Sequence, residues 1–333
     1  MNLHGHPLHA LRQQNDFKTV KSFIWNKVIS SAVRTRAAVI LALIVCLCSI
    51  FYSDASPADP STSMSSAAAA HSEATLALAK KESAEHMHGM QELYDEMRKR
   101  PLIVKAYGLD DANAPADAII VHFVRHGQGF HNLMADLASS QGREWVQFTN
   151  TPENPYVMPE IVDAPLTEKG RQQALLLQSV VKEMSTKPNL VVLSPNCRAI
   201  QTGLLVFEEL LEAGIPFLAH EMVREETGIH VCDKRRPKSR QMKEFPQVDF
   251  GLLESDDDVI FRNDHRETKA EVGGRVYKFM EWLSGRDEKV VGVASHSGWL
   301  LTVFNGICEC DEKLKGWFQT GEMRSVKLSF VRK

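Results

Sequence analysis

From residue 118 to the end, short apolar runs alternate with longer stretches of helical period. That order builds a largely parallel sheet covered by helices, because each strand must be carried back across the sheet before the next can pair beside it. Residues 118–124 (Ala-Ile-Ile-Val-His-Phe-Val) predict a buried strand, and 189–193, 217–223, 290–294 and 325–331 predict further ones. Thr167 is placed to cap a helix through Met184, with Glu168 near its positive end. Helices are also predicted over 196–213, closed by Gly214, over 268–283, and from Ser297 onward. Residues 139–163 and 229–266 are long and polar and read as loops or lids over the strand ends. The expected fold is α/β, a three-layer sandwich with a mostly parallel central sheet flanked by helices.

Upstream the pattern changes. Residues 37–52 are uncharged and strongly apolar, bounded by Arg34 and Arg36 on one side and Asp54 on the other. The run is shorter than the about 20 residues of a typical spanning helix, yet within reach of a thin bilayer. Residues 1–36 are basic, so the positive-inside rule predicts a signal-anchor: a type II protein with its body in the lumen of the secretory pathway. Cleavage after Ala55, or delivery to an organelle by a cleaved N-terminal segment, are the alternatives. Residues 53–72 read as a Ser/Ala/Pro linker. Residues 73–100 read as a stalk or packing helix that ends before Pro101, with Met87, Met90, Tyr94 and Met97 on one face. Residues 101–333 make up the remaining domain.

Composition narrows the function. The formal net charge of −3 includes the basic first 36 residues, so the body is acidic and no nucleic-acid partner is expected. Six cysteines show neither zinc nor thioredoxin spacing, and no metal ligand set or cofactor is predicted. Asp256-Asp257-Asp258 reads as a solvated turn. The sequence leaves the oligomeric state open.

The chemistry gathers at strand ends, where open α/β sheets place their ligands. Arg125-His126-Gly127 closes the 118–124 run, Asn132 follows, and Arg198 stands at the start of a predicted helix in Ser194-Pro195-Asn196-Cys197-Arg198. Arg224-Glu225 with Gly228 comes next, and Ser295-His296-Ser297-Gly298 follows the 290–294 run. These segments, in this order over about residues 117–331, resemble the histidine phosphatase superfamily and its phosphoglycerate mutase-like branch. The stretch from Arg224 to Arg236 is similar to the eukaryotic mutase-like phosphatases in particular.

Phosphoryl transfer needs a nucleophile, cations on the non-bridging oxygens and an acid for the leaving oxygen. His126 is the candidate nucleophile, provided that a backbone carbonyl holds its second nitrogen as an N–H donor. Arg125 and Arg198 would grip phosphate oxygens, His296 would complete a cationic pocket, and Asn132 would add an uncharged hydrogen bond. The resemblance makes Glu225 the proton donor, with Glu226 as its rival. Lys234, Arg235 and Arg236 read equally as a clamp for a second anionic group of the substrate or as a solvated turn. Cys197 reads as a packed thiol and His122 as structural, while His131 is open between pocket lining and solvent.

The reading is a metal-independent phosphomonoesterase acting on a small phosphorylated metabolite through a phosphohistidine. A bisphosphate-primed phosphoglycerate mutase and a catalytically idle phospho-ligand binder are the alternatives.

Overall fold

A computed structural model describes residues 76–333. The apolar run 37–52, the linker and the basic segment lie outside the described residues. In chain order the elements begin with helices α1 (76–87) and α2 (Met90–Met97), strands β1 (Leu102–Gly108) and β2 (Ile119–Arg125), and helices α3 (Phe130–Ser140) and α4 (Glu168–Glu183). Then come β3 (Leu190–Leu193), α5 (Cys197–Val206), α6 (Glu208–Glu212), β4 (Phe217–Ala219), α7 (Lys238–Glu244) and α8 (Lys269–Ser284). The chain closes with β5 (Val290–Ser295), α9 (Ser297–Thr302), β6 (Cys308–Glu309) and β7 (Met323–Arg332).

The seven strands form one sheet in the order β4-β3-β5-β2-β7-β1-β6. Every pairing is parallel except those of β7, which runs antiparallel to both β2 and β1. Side chains alternate across this sheet with the strand period. Leu190, Val192, Val291 and Val293 enter one apolar core with α2, α8 and α9, whereas Val191, Leu193 and Ala294 enter the other with α4 and α5. Both faces are therefore covered, and the fold is the three-layer α/β sandwich.

Several boundaries differ from the sequence reading. The 217–223 run is strand only to Ala219; Glu221–Val223 is a 3-10 turn, capped by His220 Nδ1 accepting from the Met222 amide at 3.1 Å. β1 and β6 escaped the apolar pattern because each is short or interrupted by a charged residue, as at Lys105. α3 and α7 stand inside or beside stretches read as loop. The 73–100 helix is two helices among its described residues, broken at Gly89, whose φ of 76° only glycine adopts without strain. The break resets the helical phase, so Leu93 joins Met90 and Met97 in the core while Met87 is exposed.

Candidate active site

Register brings the chemistry together. β2, β5 and β3 lie side by side, with Arg125 paired to Ser295 and Leu193 to Ala294, so the segments after all three strands emerge at one edge. The His126 amide donates to the Ser295 carbonyl at 3.0 Å, which ties the first loop to the last. The loop after His126 is pressed onto the first turn of α4. There the Thr167 hydroxyl accepts from Gly170 N–H and donates to Gln128, and both Gly127 and Gly170 are needed for the approach. A Cβ on Gly127 would stand 2.3 Å from the Gly170 carbonyl oxygen, and one on Gly170 would stand 2.2 Å from that of Gln128.

His126 is buried, and its two nitrogens have distinct partners. Arg198 Nε, which can only donate, lies 3.2 Å from His126 Nε2, so Nε2 carries the lone pair. The proton is then on Nδ1, which donates to the Gly127 carbonyl at 2.7 Å. Burial, followed by the charges of Arg198 and Arg125, pushes the imidazole pKa well below its ordinary value. The ring is thus neutral, in the tautomer that nucleophilic attack requires.

Arg198 begins α5, where the Asp163 carboxylate accepts from the Cys197 amide at 2.8 Å. Its guanidinium also donates to the Cys232 carbonyl at 2.7 Å and to Asp233 Oδ1 at 2.8 Å. Asp233 Oδ2 accepts from Arg266 Nη1 at 2.8 Å. Burial alone would raise the Asp233 pKa, but Arg266 and Arg198 hold it below the usual carboxylate range. Arg125 donates to the Phe318 carbonyl at 2.7 Å and lies 5.4 Å from the Trp317 ring centre, while its Nε is buried without a partner. Asn132 fixes its Oδ1 on the Gly129 amide at 3.0 Å, so its remaining donors are those it can offer an anion.

The two glutamates separate cleanly. Glu225 accepts at Oε2 from Gly298 N–H at 3.0 Å and at Oε1 from Trp299 N–H at 3.0 Å, so the N terminus of α9 orients it. It lines the same cavity as His126, Arg125 and Arg198. Glu226 turns away to His86, Arg266 and Lys269. Burial would raise its pKa, but His86, Arg266 and Lys269 hold it well below the ordinary range, and it does not border the cavity. Arg224 is likewise committed elsewhere, to Glu221 and in bidentate fashion to Asp258 at 2.8 and 2.6 Å.

Three expectations need correction. His296 does not add a cation to the cavity wall: it packs behind His126 with ring centres 5.0 Å apart, and Ser194 Oγ is 2.7 Å from its Nε2. Burial and then Arg198 push its pKa well down, so the ring is neutral, with Nδ1 buried and unpartnered. Arg235 and Arg236 do not reach the cavity either. Arg235 is buried on Glu221 at 2.8 Å and on the carbonyls of Ser255, Asp256 and Asp257; Arg236 pairs with Asp163 at 2.9 Å and Glu244 at 2.7 Å. A desolvated guanidinium takes the nearest carboxylates and carbonyls, so these arginines lace the 229–266 segment together. Asp258, read as part of a solvated turn, is the buried partner of Arg224.

His131 is buried and lines the cavity, with its ring centre 5.4 Å from that of His126. Cys197 is packed, and burial pushes its thiol up to about 12. His122 sits away from the site on Ser325 Oγ at 2.7 Å, its pKa lowered by burial to about 4. Sequence reasoning missed Tyr156, His230, Asp233 and Arg266 on the two polar segments, and Glu82 and His86 on α1. No spacing pointed to them, because each reaches the site through tertiary packing. Among the described residues no group of three or more His, Cys, Asp or Glu is arranged to hold a metal ion.

The cavity they enclose measures about 40 Å³. Since one water needs about 10–15 Å³ by this measure, about three waters, or a phosphoryl group's oxygens, would fit. A neighbouring cavity of about 50 Å³ shares Glu82, Arg125, Asn132 and Tyr156 with it.

The chain is 33% identical to a phosphoglycerate mutase-like protein of Arabidopsis thaliana over 225 residues, 59% of this chain and 78% of that protein. It is 31% identical to phosphoglycerate mutase-like protein 1 of the same plant over 238 residues, covering 62% of this chain and 79% of the relative. Among solved structures, the α-ribazole phosphatase of Shigella flexneri aligns with a TM-score of 0.39 at 17% identity, covering 65% of this chain and 96% of that one. The family model of the histidine phosphatase superfamily (branch 1) matches residues 121–330, the span that carries Arg125, His126, Arg198, Glu225 and His296, and the chain belongs to that superfamily.

Proposed function

We propose that the protein is a phosphomonoesterase for small phosphorylated metabolites, working through a phosphohistidine on His126. The observation that carries this reading is the His126 tautomer: Nδ1–H on the Gly127 carbonyl and an unprotonated Nε2 that accepts from Arg198 Nε. The Nε2 lone pair attacks phosphorus, forming the N–P bond while the bond from phosphorus to the alcohol oxygen breaks. Arg125 and Arg198 draw off the charge on the non-bridging oxygens. Glu225 delivers its proton to the leaving oxygen. It then takes one from the water that attacks phosphorus, which releases phosphate and returns a neutral imidazole.

In the test, the His126→Ala chain is expected to lose turnover while keeping its fold. The wild type should carry an acid-labile, base-stable phosphoryl label during turnover, and the variant should carry none. Retained hydrolysis by His126→Ala would overturn the mechanism.

A further inference from the structure

α1 lies ahead of the family match, which starts at residue 121, yet it forms part of the cavity wall. Leu78 packs with Ala135, Trp145 and Tyr156, and His86 stands 5.7 Å from the Trp317 ring and 3.1 Å from Glu226. Between these anchors Glu82 borders both the reactive cavity and its neighbour. The Tyr156 hydroxyl is 2.5 Å from Glu82 Oε1. Burial raises the pKa of both groups, opposed at Glu82 by this hydrogen bond and by Arg125, so the Tyr156 phenol keeps its proton and donates to Glu82. Among the described residues no other hydrogen bond reaches the second Glu82 oxygen, and Glu82 lines the cavity, so that oxygen can accept from a bound molecule.

The cations around the cavity are mostly committed. Arg266 is shared between Asp233 and Glu226, Lys269 is held by Glu226, and Arg198 has Asp233. Lys169 borders only the neighbouring cavity, where it is exposed and shares the lining with Glu82 and Asp136. A phosphoryl group takes up what Arg125 and Arg198 can offer. Within the reactive cavity, which Lys169 does not line, a second anionic group on the same small molecule would meet Glu82 with no further uncommitted arginine or lysine among the described residues, in a setting where like charges interact strongly.

We propose that Glu82 is a specificity-determining residue: it admits phosphomonoesters of neutral, hydroxyl-bearing alcohols and turns away those with a second acidic group next to the phosphate. The inference rests on the phosphatase reading of the pocket. Its test is binding rather than turnover, so the two can fail separately. The full chain carrying His126→Ala is titrated calorimetrically at pH 8 with glycerol 3-phosphate and with 3-phosphoglycerate, in the presence and absence of Glu82→Gln.

Glutamine is isosteric and still accepts from Tyr156, so it removes the charge alone. With Glu82 in place, glycerol 3-phosphate is expected to bind at least tenfold more tightly. Glu82→Gln should shrink that preference about tenfold, mainly by tightening 3-phosphoglycerate. An affinity ratio near one with Glu82 present, or a ratio that the substitution leaves unchanged, refutes the filter while leaving the phosphatase reading intact. Binding of neither ligand refutes the pocket and the filter together.

Discussion

Glu225 and Glu226 are neighbours in sequence with opposite environments, and the difference dictates what each can do. Glu225 is held by the first turn of α9 and borders the reactive cavity, whereas Glu226 is locked between three basic side chains outside it. Glu225→Gln is therefore expected to slow alkyl phosphates far more than p-nitrophenyl phosphate in single-turnover assays, because an aryl oxygen departs with little protonation. Glu226→Gln should not discriminate between the two, since its charge is spent on His86, Arg266 and Lys269. Equal slowing of both substrates by Glu225→Gln would remove it from the acid's role. At this scale the sequence pointed to its candidate groups through short local patterns at strand ends. It could not tell that Arg235 and Arg236 are spent on structure, because a guanidinium's partner is chosen by what the fold carries near it.

Among the elements, the contact between the His126 loop and the start of α4 fixes the position of His126. Thr167 was legible as a helix cap, but the facing pair of Gly127 and Gly170 appears only once the helix is laid on the loop. Gly170→Ala would drive a methyl group into the Gln128 carbonyl, so the loop must shift. Overpacking of this kind costs about 1–3 kcal/mol. The expected result is a lower urea midpoint together with at least a tenfold loss of phosphatase activity; an alanine variant with both unchanged would show that the contact does not hold the loop. α1 was read as a stalk or packing helix, with nothing in its pattern to mark Glu82. Its amphipathic face said that it packs somewhere, and only the break at Gly89 and the seat of Leu78 beside Tyr156 put it over the cavity.

Over the whole molecule, burial of titratable groups couples stability to pH. His126, His131, His230 and His296 all have pKa values pushed well below the ordinary one, first by burial and then chiefly by Arg198, or by Arg266 for His230. The unfolded chain binds protons on these rings below about pH 6.5 while the folded chain does not, so folding stability falls as pH falls. Each ring that stays neutral when folded adds about 1.4 kcal/mol per pH unit to the loss. Asp233 and Glu226, held low by their cations, add a loss of the same sign at more acid pH; Glu82, raised by burial, opposes it in part. The urea midpoint should thus decline steadily from pH 7 to pH 5, and a constant midpoint across that range would contradict neutral, buried histidines.

We also propose that residues 37–52 anchor the chain with its phosphatase domain on the lumenal side. Resistance to carbonate extraction, with protease protection of residues 101–333, is the expected result, and an unprocessed soluble form would refute it. The sequence by itself determined the layered sheet and brought forward Arg125, His126, Arg198, His296 and the Glu225–Glu226 pair as candidates, because strand periodicity and strand-end motifs are local. Tertiary structure decided which glutamate faces the cavity, that His296 stands behind His126, and that Glu82 and Asp233 line the cavity. Those outcomes depend on strand register and on which charges are desolvated together, and neither is written in any single stretch of chain.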